Sequence, residues 1–282
     1  MNLRQVRRKI KSVGNVKKIT RAMQLVSAVK MKKAQTVAIE GRPYREKLSE
    51  MFHKVLPGID VSQLPIMKVD RSQSDRELIV LITANKGMCG AFNVNLFRVL
   101  VNNSPDFSKT DVITIGKKGA AFAPVVGASA IADYTSNNQM IDVSAVFELV
   151  LKRYMEGKYT KVSLVYNKFI STLRNDPVKE QILPFALETE KEKQAPVQYV
   201  VEPDAYILME RLVLSYLEEK IRGAIQNSEA SEHSARMVAM KNATDNAVDV
   251  IYNLTLTGNK IRQQKITYEL LDMITAKESV EV

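Results

Sequence analysis

The sequence predicts an α/β protein: a compact domain with a mainly parallel sheet, inserted between two long terminal helices that wind about each other antiparallel. Three observations predict it. From Asp204 to Val282 there is no proline and there are only two glycines, Gly223 and Gly258. Proline breaks a helix and glycine weakens one, so this span permits a single very long helix. At 1.5 Å per residue, about 73 helical residues reach roughly 110 Å, well beyond an ordinary domain diameter, so such a rod needs a partner along it. At the other end of the chain, residues 2–55 repeat apolar positions at helical spacing between basic flanks. Between these ends, short apolar runs alternate with helix-length segments, the pattern of strands and crossover helices.

In the N-terminal helix, Leu3, Val6, Ile10 and Val13 form one apolar stripe, and Val16, Ile19, Met23 and Val26 continue it after a phase step. Pro43 after Gly41 predicts a kink or short break, and Pro57-Gly58 ends the element. Residues 58–75 read as a polar connector. Leu78 to Ile82 is a continuous apolar run, as expected of a strand buried on both faces. The turn Asn85-Lys86-Gly87-Met88-Cys89-Gly90 leads to a helix over Ala91–Asn102. A strand at Asp111–Ile115, helices at Lys117–Val126 and Val143–Met155, and a strand at Val162–Tyr166 follow. Gln181–Phe185 and Val197–Val201 read as shorter extended pieces, with a charged loop at Glu188–Gln194 between them. Pro203 precedes the last helix, where proline is tolerated. In that helix the seam is expected along Val250, Leu254, Thr257, Ile261, Gln264, Tyr268, Leu271 and Thr275, a spacing of 3.5 residues that signals a left-handed coiled coil. The expected division is therefore 1–57 for the first helix, 58–75 for the connector, 76–203 for the α/β domain and 204–282 for the last helix.

The composition narrows the function classes. Cys89 is the one cysteine, which leaves no disulfide framework or cysteine-cluster metal site and suits a reducing compartment. No apolar run approaches the ~20 residues that span a bilayer, and Met1 opens into charged residues rather than a signal peptide. The net charge of +10 is a local feature. Residues 1–33 hold eleven of the 41 Lys and Arg and no acid, which leaves 30 bases against 31 acids elsewhere. A charge excess so placed points to an acidic partner.

Candidate chemistry is sparse. A strand, glycine turn and helix could cradle a phosphate. Gly87-Met88-Cys89-Gly90 matches neither G-x-G-x-x-G nor the P-loop pattern, so it reads as a structural turn. Cys89 at a helix start could be a nucleophile. However, the two histidines, His53 and His233, lie on the two terminal helices with no evident reason to meet it. The same scarcity disfavours a histidine metal site or a triad, and pairs such as Glu218-Glu219 look like a solvated helix face. No catalytic residue, cofactor or metal is expected. The basic N-terminal helix has three readings: a solvated face, a nucleic-acid contact, or docking against an acidic protein surface. The apolar seam, and the lack of aromatic interleaving or a recognisable reading module, favour the third. A basic coiled-coil nucleic-acid-binding protein and a nucleotide-binding enzyme remain as rivals.

Specific words then matter. Ile10-Lys11-Ser12-Val13-Gly14-Asn15-Val16-Lys17-Lys18-Ile19-Thr20-Arg21-Ala22-Met23, followed by Val26-Ser27-Ala28, resembles the gamma subunit of F-type ATP synthases. So does Gly87-Met88-Cys89-Gly90-Ala91-Phe92-Asn93. The most specific stretch is Glu232-His233-Ser234-Ala235-Arg236-Met237-Val238-Ala239-Met240-Lys241-Asn242-Ala243-Thr244-Asp245-Asn246-Ala247. Leu254-Thr255-Leu256, Asn259-Lys260, Arg262-Gln263, Ile266-Thr267 and Glu269-Leu270 follow in the family's order. The resemblance implies an antiparallel coiled coil with a Rossmann-like α/β domain beside its base. It also implies a central rotor shaft inside a ring of three alpha and three beta subunits, standing with epsilon on a membrane ring of c subunits. Nucleotide chemistry would then belong to beta. By the same resemblance Lys17, Lys18, Arg21 and Met23 face acidic beta loops, and Arg262 and Gln263 form a catch on a beta loop. Leu270 and Ile274 form the tip in an apolar collar. Lys30, Lys33, Arg42, Tyr199, Asp204 and Tyr206 contribute to a foot on the c ring and epsilon. The tip Lys277–Val282 is more charged than the family's usual ending, and no cysteine-bearing insertion supports the thiol switch of chloroplast forms. The implied location is peripheral, on the cytoplasmic face of a bacterial plasma membrane or the matrix face of the mitochondrial inner membrane.

Overall fold

A computed structural model of the chain describes residues 2–55, 66, 75–104, 106–136, 138–184 and 204–280. It comprises two compact units, one of Met1–Ser27 with Arg236–Val282 and one of Ala28–Ala235. Helices α1 (Leu3–Glu40) and α6 (Ala205–Val280) each contribute to both.

The unit of residues 28–235 is built on a sheet. Among the described residues it has strands β1 (Glu77–Ile82), β2 (Thr110–Ile115), β3 (Ser129–Tyr134), β4 (Lys161–Phe169) and β5 (Asn175–Leu183), in the order β3-β2-β1-β4-β5. The first four are parallel and β5 closes the edge antiparallel to β4. The apolar run of β1 and the whole of β2, its polar Thr110, Asp111 and Thr114 included, are buried because helices cover both faces of the sheet. On one face Leu78, Val80, Ile82, Ile113 and Leu164 meet Val146, Val150 and Tyr154 of α5 (Val143–Met155). Met209, Leu217 and Ile221 of α6 and Leu48 of α2 (Arg42–Val55) complete that layer. On the other face Ile79, Leu81, Val112 and Val165 meet Leu96 and Leu100 of α3 (Phe92–Asn103). Burial of such side chains stabilises the domain by about 1.5–3 kcal/mol each.

Several sequence expectations hold. The break at Gly41 separates α1 from α2, and α5 spans the expected residues. Arg45 bridges that break: its guanidinium donates to the Ala38 carbonyl at the end of α1 (2.7 Å) and to the Gln226 amide oxygen on α6 (3.1 Å). A cation there also meets the negative end of the α1 dipole.

Other expectations are corrected. The helix expected over Lys117–Val126 is a short α4 (Lys117–Phe122) continued as a 3-10 turn, because Pro124 lacks the amide needed to extend it. Strand β3 was not anticipated: its mixed, partly exposed residues give no alternation, and pairing with β2 holds it extended. Strand β5 begins six residues before the expected Gln181, since antiparallel pairing with β4 recruits the polar stretch Asn175–Glu180 and seats Pro177 in an edge strand. The expected piece at Val197–Val201 and the loop at Glu188–Gln194 lie outside the described residues.

Candidate partner-binding surface

In the unit of residues 1–27 and 236–282, the two helices pair in one register. Thr20 Oγ1 lies 2.8 Å from Thr244 Oγ1 in a buried hydrogen bond. A Cβ on Gly258 would stand 3.3 Å from Val6 Cγ1. Fourteen residues back along α1 therefore correspond to fourteen forward along α6, which makes the pair antiparallel. On α1 the buried or half-buried positions Leu3, Val6, Ile10, Val13, Lys17, Thr20, Gln24 and Ser27 keep one 3.5-residue phase. On α6 they are Met240, Thr244, Ala247, Ile251, Leu254, Gly258 and Ile261.

This corrects the expected seam on both helices. On α1 the phase step does not occur: Val16, Ile19 and Val26 are exposed, and polar Lys17, Thr20, Gln24 and Ser27 take the inward positions. On α6, Leu254 and Ile261 face inward as expected, but Val250 and Thr257 give way to Ile251 and Gly258. The physical reason is close approach. Ala247, Thr244 and Gly258 are small enough to let the backbones near each other, a gain that counting apolar residues overlooks. Beyond Ile261 every described side chain of α6 is exposed, including Gln264, Tyr268, Leu271 and Thr275. The register sets Leu3, the first residue of α1, opposite Ile261, so no described residue of α1 lies alongside α6 beyond that point.

On this pair lie the residues implied to touch other chains. Lys18 and Arg21 are exposed, Lys17 and Met23 half-buried, and Arg21 Nη1 donates to Gln24 Oε1 at 3.0 Å. Arg262, Gln263, Leu270 and Ile274 are exposed on the part of α6 beyond Ile261. The register puts Lys17 opposite Ala247, fifteen residues or roughly 22 Å of helix from Arg262. The residues implied to touch other chains thus fall in two separate regions rather than one patch.

In the unit of residues 28–235 the foot residues are also dispersed. Exposed Lys30 and Lys33 stand near Glu229, whose carboxyl the His233 imidazole and these two lysines hold below the ordinary range. Asp204 lies twenty-five residues earlier in the chain and caps α6, its Oδ1 accepting from the Tyr206 amide (2.6 Å) and the Ile207 amide (3.4 Å). Tyr206 is exposed. The side chain of Arg42, the whole of Tyr199 and the side chains of the tip Lys277–Val282 lie outside the described residues.

The crevice beyond β1 and β4, where an α/β sheet of this order ordinarily takes a nucleotide, is filled by the chain itself. Cys89, Ala84 and Phe92 are buried together, with Ala235 of α6 packed on them. Asn93 ties the turn inward, its Oδ1 accepting from the Ala84 amide at 3.2 Å and its Nδ2 lying 3.4 Å from Cys89 Sγ. Ser231 donates to the Asn167 carbonyl at 3.1 Å and Ser234 to the Thr172 carbonyl, which fastens α6 across the strand ends. Sequence reasoning missed this pair of serines, whose signal was only two small polar residues on an otherwise buried helix face. A cleft of about 390 Å³ between α2, β4, β5 and α6 holds Arg45, Tyr166, Glu180 and Lys220. These four are engaged within the chain: Lys220 pairs with Glu180 at 2.8 Å, Tyr166 donates to Glu180 at 2.9 Å, and Arg45 is held at the α1 terminus.

Comparison with known proteins identifies relatives along the whole chain. A family model described as ATP synthase matches residues 2–280. An ATP synthase gamma chain of Thiobacillus denitrificans is 36% identical over 287 residues, covering 98% of this chain and 99% of that one. The gamma chain of Akkermansia muciniphila is 35% identical, covering 99% of each. Among solved structures, a chain of the Euglena gracilis mitochondrial ATP synthase OSCP/F1/c-ring assembly superposes with a TM-score of 0.74. It is 20% identical, and the match covers 99% of this chain and 94% of that one. A chain of the rotor of the same organism's enzyme gives a TM-score of 0.68 at 18% identity, over 94% of this chain and 98% of that one. At these identities the structural likeness speaks for the fold.

Proposed function

The chain belongs to the ATP synthase gamma-chain family, and from that premise we propose that it is the central-stalk rotor of an F-type ATP synthase. Its antiparallel helical pair transmits torque between ion-driven rotation of a c ring and the catalytic beta subunits, in synthesis or in ATP-driven ion pumping. The observation that carries this reading is the relatedness over 98% of the chain, joined to a helical pair whose α1 side is basic and in which α6 runs on past the described residues of α1. Its partners are three alpha and three beta subunits, epsilon and the c ring, with no nucleic acid. Residues 1–57 and 204–282 form the shaft, 58–75 a connector and 76–203 the Rossmann-like domain.

Within this reading Lys17, Lys18, Arg21 and Met23 face acidic beta loops, where charge sets encounter and register more than affinity. Arg262 and Gln263 form the catch. A guanidinium suits that task because it stays charged and grips a carboxylate with two donors. Leu270 and Ile274 sit in the collar, while Lys30, Lys33, Arg42, Tyr199, Asp204 and Tyr206 serve the foot as two separate contacts. No described helix is long and apolar enough to cross a membrane, which agrees with peripheral attachment through the c ring. We place it on the cytoplasmic face of a bacterial plasma membrane, with the mitochondrial matrix face as the second choice.

Affinity purification of this chain is expected to bring down alpha, beta and epsilon in a ratio of three, three and one. Recovery without beta would end the proposal. In the assembled enzyme, Arg262→Ala is expected to lower coupled ATP synthesis and hydrolysis; unchanged rates would remove Arg262 from the catch.

A further inference from the structure

We propose that the helical pair has a second, overwound state, in which Val16, Ile19, Met23 and Val26 replace Lys17, Thr20, Gln24 and Ser27 in the seam. Three observations within the unit of residues 1–27 and 236–282 carry it. First, α1 holds two overlapping stripes one residue apart. The inward one is polar from Lys17 to Ser27, while Val16, Ile19 and Val26 are 49%, 59% and 57% exposed and Met23 is half-buried at the border. The two stripes lie about 100° apart around the helix. Joining Val13 to Val16 and Val16 to Ile19, after the step from Ile10 to Val13, puts three three-residue steps in succession. Such a stammer tightens a left-handed coil locally. The sequence therefore encodes a more strongly twisted seam as well as the relaxed one.

Second, the hydrogen bond that would break leaves no orphan. Thr20 Oγ1 also reaches the Lys17 carbonyl at 3.1 Å, and Thr244 Oγ1 reaches the Met240 carbonyl at 2.8 Å. Each hydroxyl keeps an acceptor on its own helix when the 2.8 Å bridge between them parts. The usual penalty for opening a buried polar pair is thus absent. The residues that leave the seam are Lys17, Thr20, Gln24 and Ser27, all of which water solvates well.

Third, Gly14 lies where the two phases diverge. A Cβ there would meet nothing within 4 Å, so no packing contact requires glycine. A glycine inside a helix nevertheless weakens it. Its placement supplies backbone freedom at the one point where α1 must change twist. Torque that tightens the coil thereby brings apolar side chains into contact, and part of the strain is offset by their burial. Torque in the opposite sense finds no such second seam.

Disulfide trapping in the full chain, with Cys89→Ala removing the native thiol, tests this without any partner protein. Thr20→Cys with Thr244→Cys reports the relaxed register and is expected to close fastest. Ile19→Cys with Thr244→Cys reports the overwound state. A minor state populated at about 0.1–10% makes its closure roughly 10- to 1,000-fold slower. Arg21→Cys with Thr244→Cys stands symmetrically on the other side of Thr20 and is expected to close more slowly than the Ile19 pair. Adding Gly14→Ala should slow the Ile19 pair and leave the Thr20 pair unchanged. Closure at position 21 as fast as at position 19, no closure at 19, failure of the Thr20 pair, or indifference of the Ile19 pair to Gly14→Ala would each overturn the proposal.

Discussion

Gly116 shows how one residue can be fixed by the space around it. Its φ is +104°, and a Cβ would fall 2.2 Å from the Thr83 carbonyl oxygen. That oxygen cannot retreat, because Thr83 is held by its amide to the Ile115 carbonyl (2.8 Å) and accepts on its carbonyl from Gln139 (2.9 Å). Gly116→Ala is expected to destabilise the protein by at least about 3 kcal/mol, combining backbone strain with overpacking. A lowered urea midpoint at constant slope would register it. Nothing in the sequence distinguished this glycine from Gly87, whose surroundings are open. The demand for glycine comes from Thr83, just past β1 and 33 residues earlier in the chain. Cys89 is legible in the same limited way: its identity suggested reactivity, and only its burial with Phe92 and Ala235 gives it a packing role.

At the scale of elements, α5 was readable end to end because a four-residue stripe of Val143, Val146, Val150 and Tyr154 faces one layer. Strands β3 and β5 were not, since their extended form is imposed by neighbours rather than by their own residues. The join between α1 and α2 depends in the same way on a distant residue. Arg45 there satisfies Ala38 of the preceding helix and the buried Gln226 of α6. Arg45→Ala leaves that glutamine oxygen without its donor, and is expected to cost about 1–3 kcal/mol. Hydrogen exchange should show the loss concentrated in α2 and the last turn of α1; protection unchanged there would assign the bridge no weight.

For the whole molecule, stability should follow the ion pair that joins β5 to α6. Burial alone raises the Glu180 carboxyl, but Lys220 and the Tyr166 hydroxyl outweigh it and hold it below its ordinary 4.5. Burial lowers the Lys220 ammonium, and Glu180 outweighs that, holding it above 10.5. A depressed carboxylate pKa stabilises the fold above the unfolded value and loses that contribution as pH falls through the folded one. A raised ammonium pKa does the reverse at alkaline pH. Thermal melts are therefore expected to show Glu180→Gln less stable than the parent at pH 7. The difference should shrink as pH falls from about 5 to 3; a gap that stays constant would mean the pair contributes nothing. The sequence by itself determined the two long helices, the parallel α/β insert and the basic end, because helix propensity, strand-length apolar runs and charge are local properties. The tertiary structure alone decided which face of α1 meets α6, where the pairing of these two helices stops, and what closes the crevice beyond β1 and β4. Those outcomes turn on close approaches such as Thr20 to Thr244 and Val6 to Gly258. Such a contact has no value until its partner, more than two hundred residues away, arrives.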